Sequence, residues 1–105
     1  MIQISVERRG DWYVIGIRGR ADGNTADQLE TTLLEAVQQN TRVAADFSSL
    51  EYISSAGLRS LLQAARAAEA GRTEFAICRL TAPVARVFNI SGLRQILTVV
   101  EELPC

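Results

Sequence analysis

Arg42–Cys78 reads RVAADFSSLEYISSAGLRSLLQAARAAEAGRTEFAIC, and this stretch decides the fold. Its opening, Arg42–Phe47, is short, apolar and bounded by polar residues, as a buried strand is. A serine-rich loop follows. Leu58, Leu61, Leu62 and Ala65 then recur at helical spacing, with Arg59, Gln63 and Arg66 on the opposite, wet face. Gly71 is placed to stop this helix, and TEFAIC, ending at Cys78, is a second short strand. Two strands joined through a helix run parallel, so the stretch is a β-α-β unit.

Working toward the N-terminus, Ala26, Leu29, Leu33 and Val37 form the apolar stripe of an earlier helix, with Asn24 or Thr25 able to cap it. The loop before it is Gly19–Thr25, GRADGNT. Ile2, Ile4 and Val6 alternate with polar residues, Arg8–Asp11 makes a turn, and WYVIGIR resumes as a strand, which predicts an antiparallel hairpin. Toward the C-terminus, Thr81-Ala82-Pro83 opens a shorter helix whose apolar face is Val84, Val87 and Phe88. Asn89–Gly92 ends it, and QILTVV, Gln95–Val100, reads as the last strand. The order β-β-α-β-α-β-α-β predicts one α/β domain over residues 1–105. Its mixed sheet has about five strands, with the N-terminal hairpin antiparallel and the remainder parallel, and its helices pack mainly on one face. Phe88 and Ile90 are expected in the core, and Trp12 in core or edge packing.

Composition narrows the function. At 105 residues and 48% hydrophobic, the chain has the material for one packed core. Eleven Lys and Arg against 12 Asp and Glu leave a net charge of −1, which gives no reason to expect nucleic acid or an anionic membrane as a ligand. The alternating start lacks the apolar centre of a signal peptide, and no apolar run approaches the roughly 18 residues of a membrane span, so the cytoplasm is the expected location. Without histidine there is no Ser–His–Asp triad, Cys–His pair or Cys/His zinc site, and the two cysteines form no C-x-x-C. Val84 stands where a Cys-x5-Arg phosphate loop starting at Cys78 needs its arginine. No enzymatic activity, cofactor or metal is expected, and Cys78 reads as a small buried hydrophobe.

What remains is Ser54-Ser55-Ala56-Gly57, which enters a helix. A helix N-terminus exposes unpaired amides and the positive end of the dipole, so negative charge is welcome there. Serine is also among the commonest helix caps, and on local chemistry either Ser54 or Ser55 fills that role. Gly57 keeps the backbone beside the serines free of bulk.

Three segments in order carry a resemblance. Gly19-Arg20-Ala21-Asp22 with Thr25-Ala26 is similar to a G-x-(L/A)-D…T-A loop. Asp46-Phe47-Ser48-Ser49-Leu50 and Ile53-Ser54-Ser55-Ala56-Gly57-Leu58 are similar to a D-L-S…(I/M)-(D/S)-S-(S/T/A)-G-L signature. Val84–Phe88 and Ile90-Ser91-Gly92-Leu93 are similar to a V-x-R-x-(F/L)…(S/T)-G-L segment. Together they resemble the anti-sigma-factor antagonists of the STAS-domain family, almost end to end. The resemblance implies that Ser55 is the phosphoacceptor, with Ser54 as second candidate, and that Asp22, Asn24, Ser54, Ser55, Gly57, Leu58 and Arg59 meet the partner. That partner is an anti-sigma factor and serine kinase of the histidine-kinase-like ATPase type, reset by a PP2C-type phosphatase. Ser54 stands where many relatives carry aspartate. Many relatives also add a C-terminal helix, for which the last residues here are too short. The alternative is a structural subunit of a lipid-transport ATPase complex that uses the same surface unphosphorylated.

Overall fold

The structure, a computed structural model, describes residues 2–103. Its elements are β1 (Ile2–Arg9), β2 (Trp12–Ala21), α1 (Ala26–Gln39), β3 (Arg42–Ile53), α2 (Ser55–Ala70), β4 (Glu74–Cys78), α3 (Ala82–Ser91), a 3-10 turn (Leu93–Gln95) and β5 (Val99–Val100). The strands lie in the order β1-β2-β3-β4-β5, antiparallel between β1 and β2 and parallel thereafter.

Strand alternation sorts the side chains onto two faces. Ile15 and Ile17 of β2, Val43, Ala45 and Phe47 of β3 and Ile77 of β4 pack in one cluster with Leu29 and Leu33 of α1, Leu61 and Ala64 of α2 and Val84 and Phe88 of α3. All three helices therefore share one face of the sheet. The other face carries the smaller cluster of Val14, Ala44 and Cys78 under Trp12, Val100 and Leu103. Burial and the nearby Asp46 charge push the Cys78 thiol up to about 11, which keeps it protonated and unreactive at neutral pH.

The structure corrects the local expectations at three places. β3 continues through Ser48–Ile53, where serines and glutamate read as loop. Gly16 pairs with Asp46 but Arg18 with Ser49, and Gly19 with Leu50 but Arg20 with Tyr52, so β3 twice inserts one extra residue. These bulges convert a period of two into one of three, and Phe47, Leu50 and Ile53 are the buried residues. At the other end, only Val99 and Val100 of QILTVV pair with β4. Leu93 and Leu97 are buried at a helical spacing closed by the Leu97 amide donating to the Leu93 carbonyl (2.8 Å), and Ile96 is left exposed. Ile90 is 86% exposed because the stripe of α3 runs through Val84 and Phe88, as expected of Phe88 but not of Ile90.

Helix α2 ends at Ala70 with Gly71 as its cap, as the sequence implies, but the left-handed residue comes one position later. Gly71 is the C-cap with φ −91°, and the left-handed residue is Arg72 at φ 58°. A side chain there is strained by about 1 kcal/mol, so Arg72→Gly is expected to raise stability by roughly 0.5–1 kcal/mol, read as a higher denaturant midpoint at unchanged slope.

The middle of β3 and the end of β4 are joined by Asp46 and Arg79. Arg79 Nε and Nη2 donate to the two carboxylate oxygens at 3.2 and 2.5 Å, and the Ser48 amide donates to Oδ1 at 3.0 Å. Burial pushes the Asp46 carboxyl up, but the bonds from Arg79 and Ser48 and the arginine charge outweigh it and hold the carboxyl below its ordinary value. The folded state therefore gains stability from Asp46 above the unfolded value of about 4 and loses it as pH falls through the lower folded value. Asp46→Asn is expected to flatten this acid limb in urea titrations between pH 2 and 6, with the largest difference from wild type at neutral pH.

Candidate functional site

The sequence places two segments of interest on different elements, the Asp22 loop after β2 and the Ser55 turn after β3. The structure brings them together because β2 and β3 are parallel neighbours that end side by side. The Ser54 amide donates to the Ala21 carbonyl at 2.8 Å, joining the two segments directly.

Around the first segment, Thr25 is the knot. Its side chain is buried, and its hydroxyl donates to the Arg20 carbonyl (2.8 Å) while accepting from the Asp22 amide (3.0 Å). The expectation that Thr25 or Asn24 caps α1 through its side chain is corrected here. Thr25 is at the N-cap position, but its oxygen is spent on the loop and makes no side-chain cap bond. Asp22 Oδ1 accepts from the Asn24 amide at 2.9 Å, an Asx turn that fixes the carboxylate relative to the loop. Asp22 is half-buried and Asn24 exposed.

In the second segment, the two serines divide their roles. Ser54, half-buried and extended at φ −90° and ψ 174°, is the N-cap of α2, and its Oγ accepts from the Gly57 amide at 3.2 Å. Its carbonyl accepts from the Leu58 amide at 2.9 Å, the first bond of the helix. Ser55 is the first helical residue and is exposed, and among the described residues its hydroxyl has no hydrogen-bond partner. One serine builds the helix end; the other is free on it.

Gly57 is needed for closeness rather than for backbone freedom. A Cβ there would lie 2.7 Å from Ile53 Cγ1, 3.0 Å from the Ala21 carbonyl and 3.3 Å from Ala21 Cβ. Gly57 is buried, Leu58 packs half-buried against the core, and Arg59 is exposed one turn into α2. Ser60, which sequence reasoning passed over, is 2% exposed, and its Oγ donates to the carbonyl of Ala26 at 2.9 Å, tying α2 to the start of α1. The available signal was a serine on the buried stripe of an amphipathic helix. Asp22, Asn24, Ser54, Ser55, Gly57, Leu58 and Arg59 thus occupy one end of the molecule. Among the described residues no three His, Cys, Asp or Glu side chains converge to hold a metal ion, and no helix is long and apolar enough to cross a membrane.

A family model described as "Mlab, STAS domain" matches residues 4–101, which includes the whole of this site. The chain belongs to the STAS-domain family. Among STAS relatives, a putative anti-sigma factor antagonist of Bordetella bronchiseptica, BtrV, is 32% identical over 99 residues, covering 93% of this chain and 85% of its own. The anti-sigma F factor antagonist of Paenibacillus polymyxa is 26% identical, covering 93% and 86%. The STAS fold itself is shared with the crystal structure of an anti-sigma factor antagonist from Mycobacterium paratuberculosis, at a TM-score of 0.88 and 23% identity over 98% of this chain and 88% of that one. The family's D-L-S and S-G-L residues fall on the bulged end of β3 and the first turn of α2. Its loop aspartate, Asp22, follows β2 directly.

Proposed function

We propose that this chain is an anti-sigma-factor antagonist, a binding module switched by phosphorylation of Ser55. The observation that carries the reading is the division of labour between the serines. Ser54 caps α2, so modifying Ser55 takes nothing from the helix, and the Ser55 hydroxyl is exposed to an incoming kinase. The likeness to relatives named as anti-sigma factor antagonists supports the class of partner.

Unmodified, the module binds an anti-sigma factor that is also a serine kinase of the histidine-kinase-like ATPase type. It uses the Asp22 loop with Asn24, the Ser54–Ser55 turn, and Gly57, Leu58 and Arg59 at the start of α2. Phosphate on Ser55 sits at the positive end of the α2 dipole, so the module's own fold tolerates it. The partner meets about −1.5 to −2 new charges inside a close-packed contact, where repulsion and desolvation are costly. A hundredfold loss of affinity needs only about 2.8 kcal/mol, well within reach of one misplaced phosphate. No refolding is required. A PP2C-type phosphatase restores the hydroxyl, and the module itself needs no cofactor and performs no catalysis.

The alternative is a permanent subunit of a lipid-transport ATPase complex that uses the same surface with no phosphate cycle. Incubation with a histidine-kinase-like anti-sigma factor of the same organism and ATP, and mapping of the product by mass spectrometry, separate the two. Phosphate on Ser55 of the wild type and none on Ser55→Ala is the expected result. Label that persists on Ser55→Ala moves the acceptor to Ser54, and an unlabelled wild type that co-purifies with a transport ATPase selects the second reading.

A further inference from the structure

The two edges of the sheet differ. At one edge β5 is cut to Val99 and Val100; at the other β1 runs from Ile2 to Arg9 in an unbroken register with β2. Natural sheets blunt a long edge with proline, a bulge or a covering element. β1 has neither proline nor bulge. Helix α1 rests on β2 and β3, and Val6, which lies across from core residue Ile15 and so on the helix side, is left 52% exposed. The hairpin decides which backbone groups are open. Its two-residue turn closes on Arg9 and Trp12, so Gln3, Ser5, Glu7 and Arg9 exchange amide and carbonyl bonds with β2. The amides and carbonyls of Ile2, Ile4, Val6 and Arg8 therefore point outward from the edge.

Self-complementarity selects the occupant. A two-fold axis normal to the sheet sets β1 antiparallel to β1 of a second copy and keeps the helices of both on one side. Centred on Glu7, such a pairing opposes two carboxylates, and centred on Arg8, two guanidinium groups, both unfavourable. Centred on Val6, it opposes Ile4 to Arg8. Centred on Ser5, it engages Ile2–Arg8 throughout, sets Ile4 opposite Val6 of the second copy and Gln3 opposite Glu7, each twice by symmetry, and brings no like charges together. Each exposed valine is then covered by an isoleucine. Pairing of β1 with β5 of a neighbouring copy has only Val99 and Val100 to engage and does not close on itself.

We infer that the outer edge of β1 is a homodimer interface, through which two copies join their sheets into one, with Ser5 on the two-fold axis. Strand directions reverse across the axis, so the two Ser55 turns lie at opposite ends of the joined sheet. The dimer thus presents two separate switch surfaces, and the inference stands independently of what those surfaces bind.

The test is register-specific cross-linking of the full chain in a Cys105→Ser background, where Cys78 is buried. Opposed residues of a non-hydrogen-bonded antiparallel pair have Cα atoms about 4.5 Å apart, within reach of a disulfide. Ser5→Cys is therefore expected to form an interchain disulfide on mild oxidation. Gln3→Cys is expected not to link to itself, since its own copy lies four residues along the strand, roughly 13 Å away. A mixture of Gln3→Cys and Glu7→Cys chains is expected to link to each other. Sedimentation velocity of the wild type from about 10 μM to 1 mM is expected to show the mass doubling with concentration. Val6→Lys, at an exposed position, is expected to stay folded by circular dichroism and to weaken dimerisation by about tenfold or more. A wild type that stays monomeric throughout with Ser5→Cys unlinked overturns the inference. So does Gln3→Cys linking to itself as readily as Ser5→Cys, because random collision then explains both. Either result leaves the Ser55 reading untouched.

Discussion

Gly57→Val is expected to lower stability by about 1–3 kcal/mol, the range for overpacking a close contact, with a melting temperature lower by roughly 10 °C for a domain of this size. Alanine in a helix is ordinarily an improvement over glycine by about 0.5–1 kcal/mol. Here even a Cβ meets Ile53 Cγ1 at 2.7 Å and the Ala21 carbonyl at 3.0 Å, and the carbonyl is backbone and already committed to the Ser54 amide. Ile53, 2% exposed and packed in the main core cluster, can move aside only by displacing its core neighbours. The first turn of α2 must therefore lift from the ends of β2 and β3, carrying Ser55 away from the Asp22 loop. Differential scanning calorimetry measures the first effect and partner binding the second. Gly57→Ala, the smaller insult, is expected to separate them, losing partner affinity while remaining folded at room temperature.

Ser55→Asp is expected to weaken partner binding by about a hundredfold with no loss of stability, and Ser55→Ala to bind as the wild type does while refusing phosphate. Stability is insensitive because Ser55 has no hydrogen bond to lose among the described residues, and a carboxylate at the first helical position is favourable to the helix dipole by about 0.3–1 kcal/mol. Ser54→Ala has the opposite signature. It removes the bond from the Gly57 amide to Ser54 Oγ, so it is expected to cost about 1 kcal/mol of stability while leaving an acceptor hydroxyl in place. Chemical denaturation and calorimetric binding of the three variants, measured side by side, test whether the two adjacent serines have exchanged or divided their roles.

Much of this was legible in the sequence. The β-α-β unit, the N-terminal hairpin and the apolar stripes of α1 and α3 follow from periodicity, since each element buries one face. The end of β3 was not legible, because two bulges break the alternation that identifies a strand and leave Phe47, Leu50 and Ile53 three residues apart instead of two. β5 was overread for the converse reason. QILTVV is apolar enough for a strand, but Leu93 and Leu97 are buried from a tight helical turn that no residue in the segment announces. At the site, the residues on either side of Ser55 were found from their motif, whereas what holds them was not. Thr25, Ser60 and the Ala21–Ser54 bond join segments distant in the chain, and a hydroxyl's partner across such a distance leaves no local trace. Nor does a motif tell which of two adjacent serines caps the helix; only the Ser54 Oγ accepting from the Gly57 amide does.

The most direct measurement is the dissociation constant of a histidine-kinase-like anti-sigma factor of the same organism for this chain before and after stoichiometric enzymatic phosphorylation, with the modified residue verified by mass spectrometry. Phosphate confined to Ser55 and a rise in the dissociation constant of about a hundredfold or more is the predicted result. Equal affinity of the two forms, with Ser55 fully esterified, contradicts it.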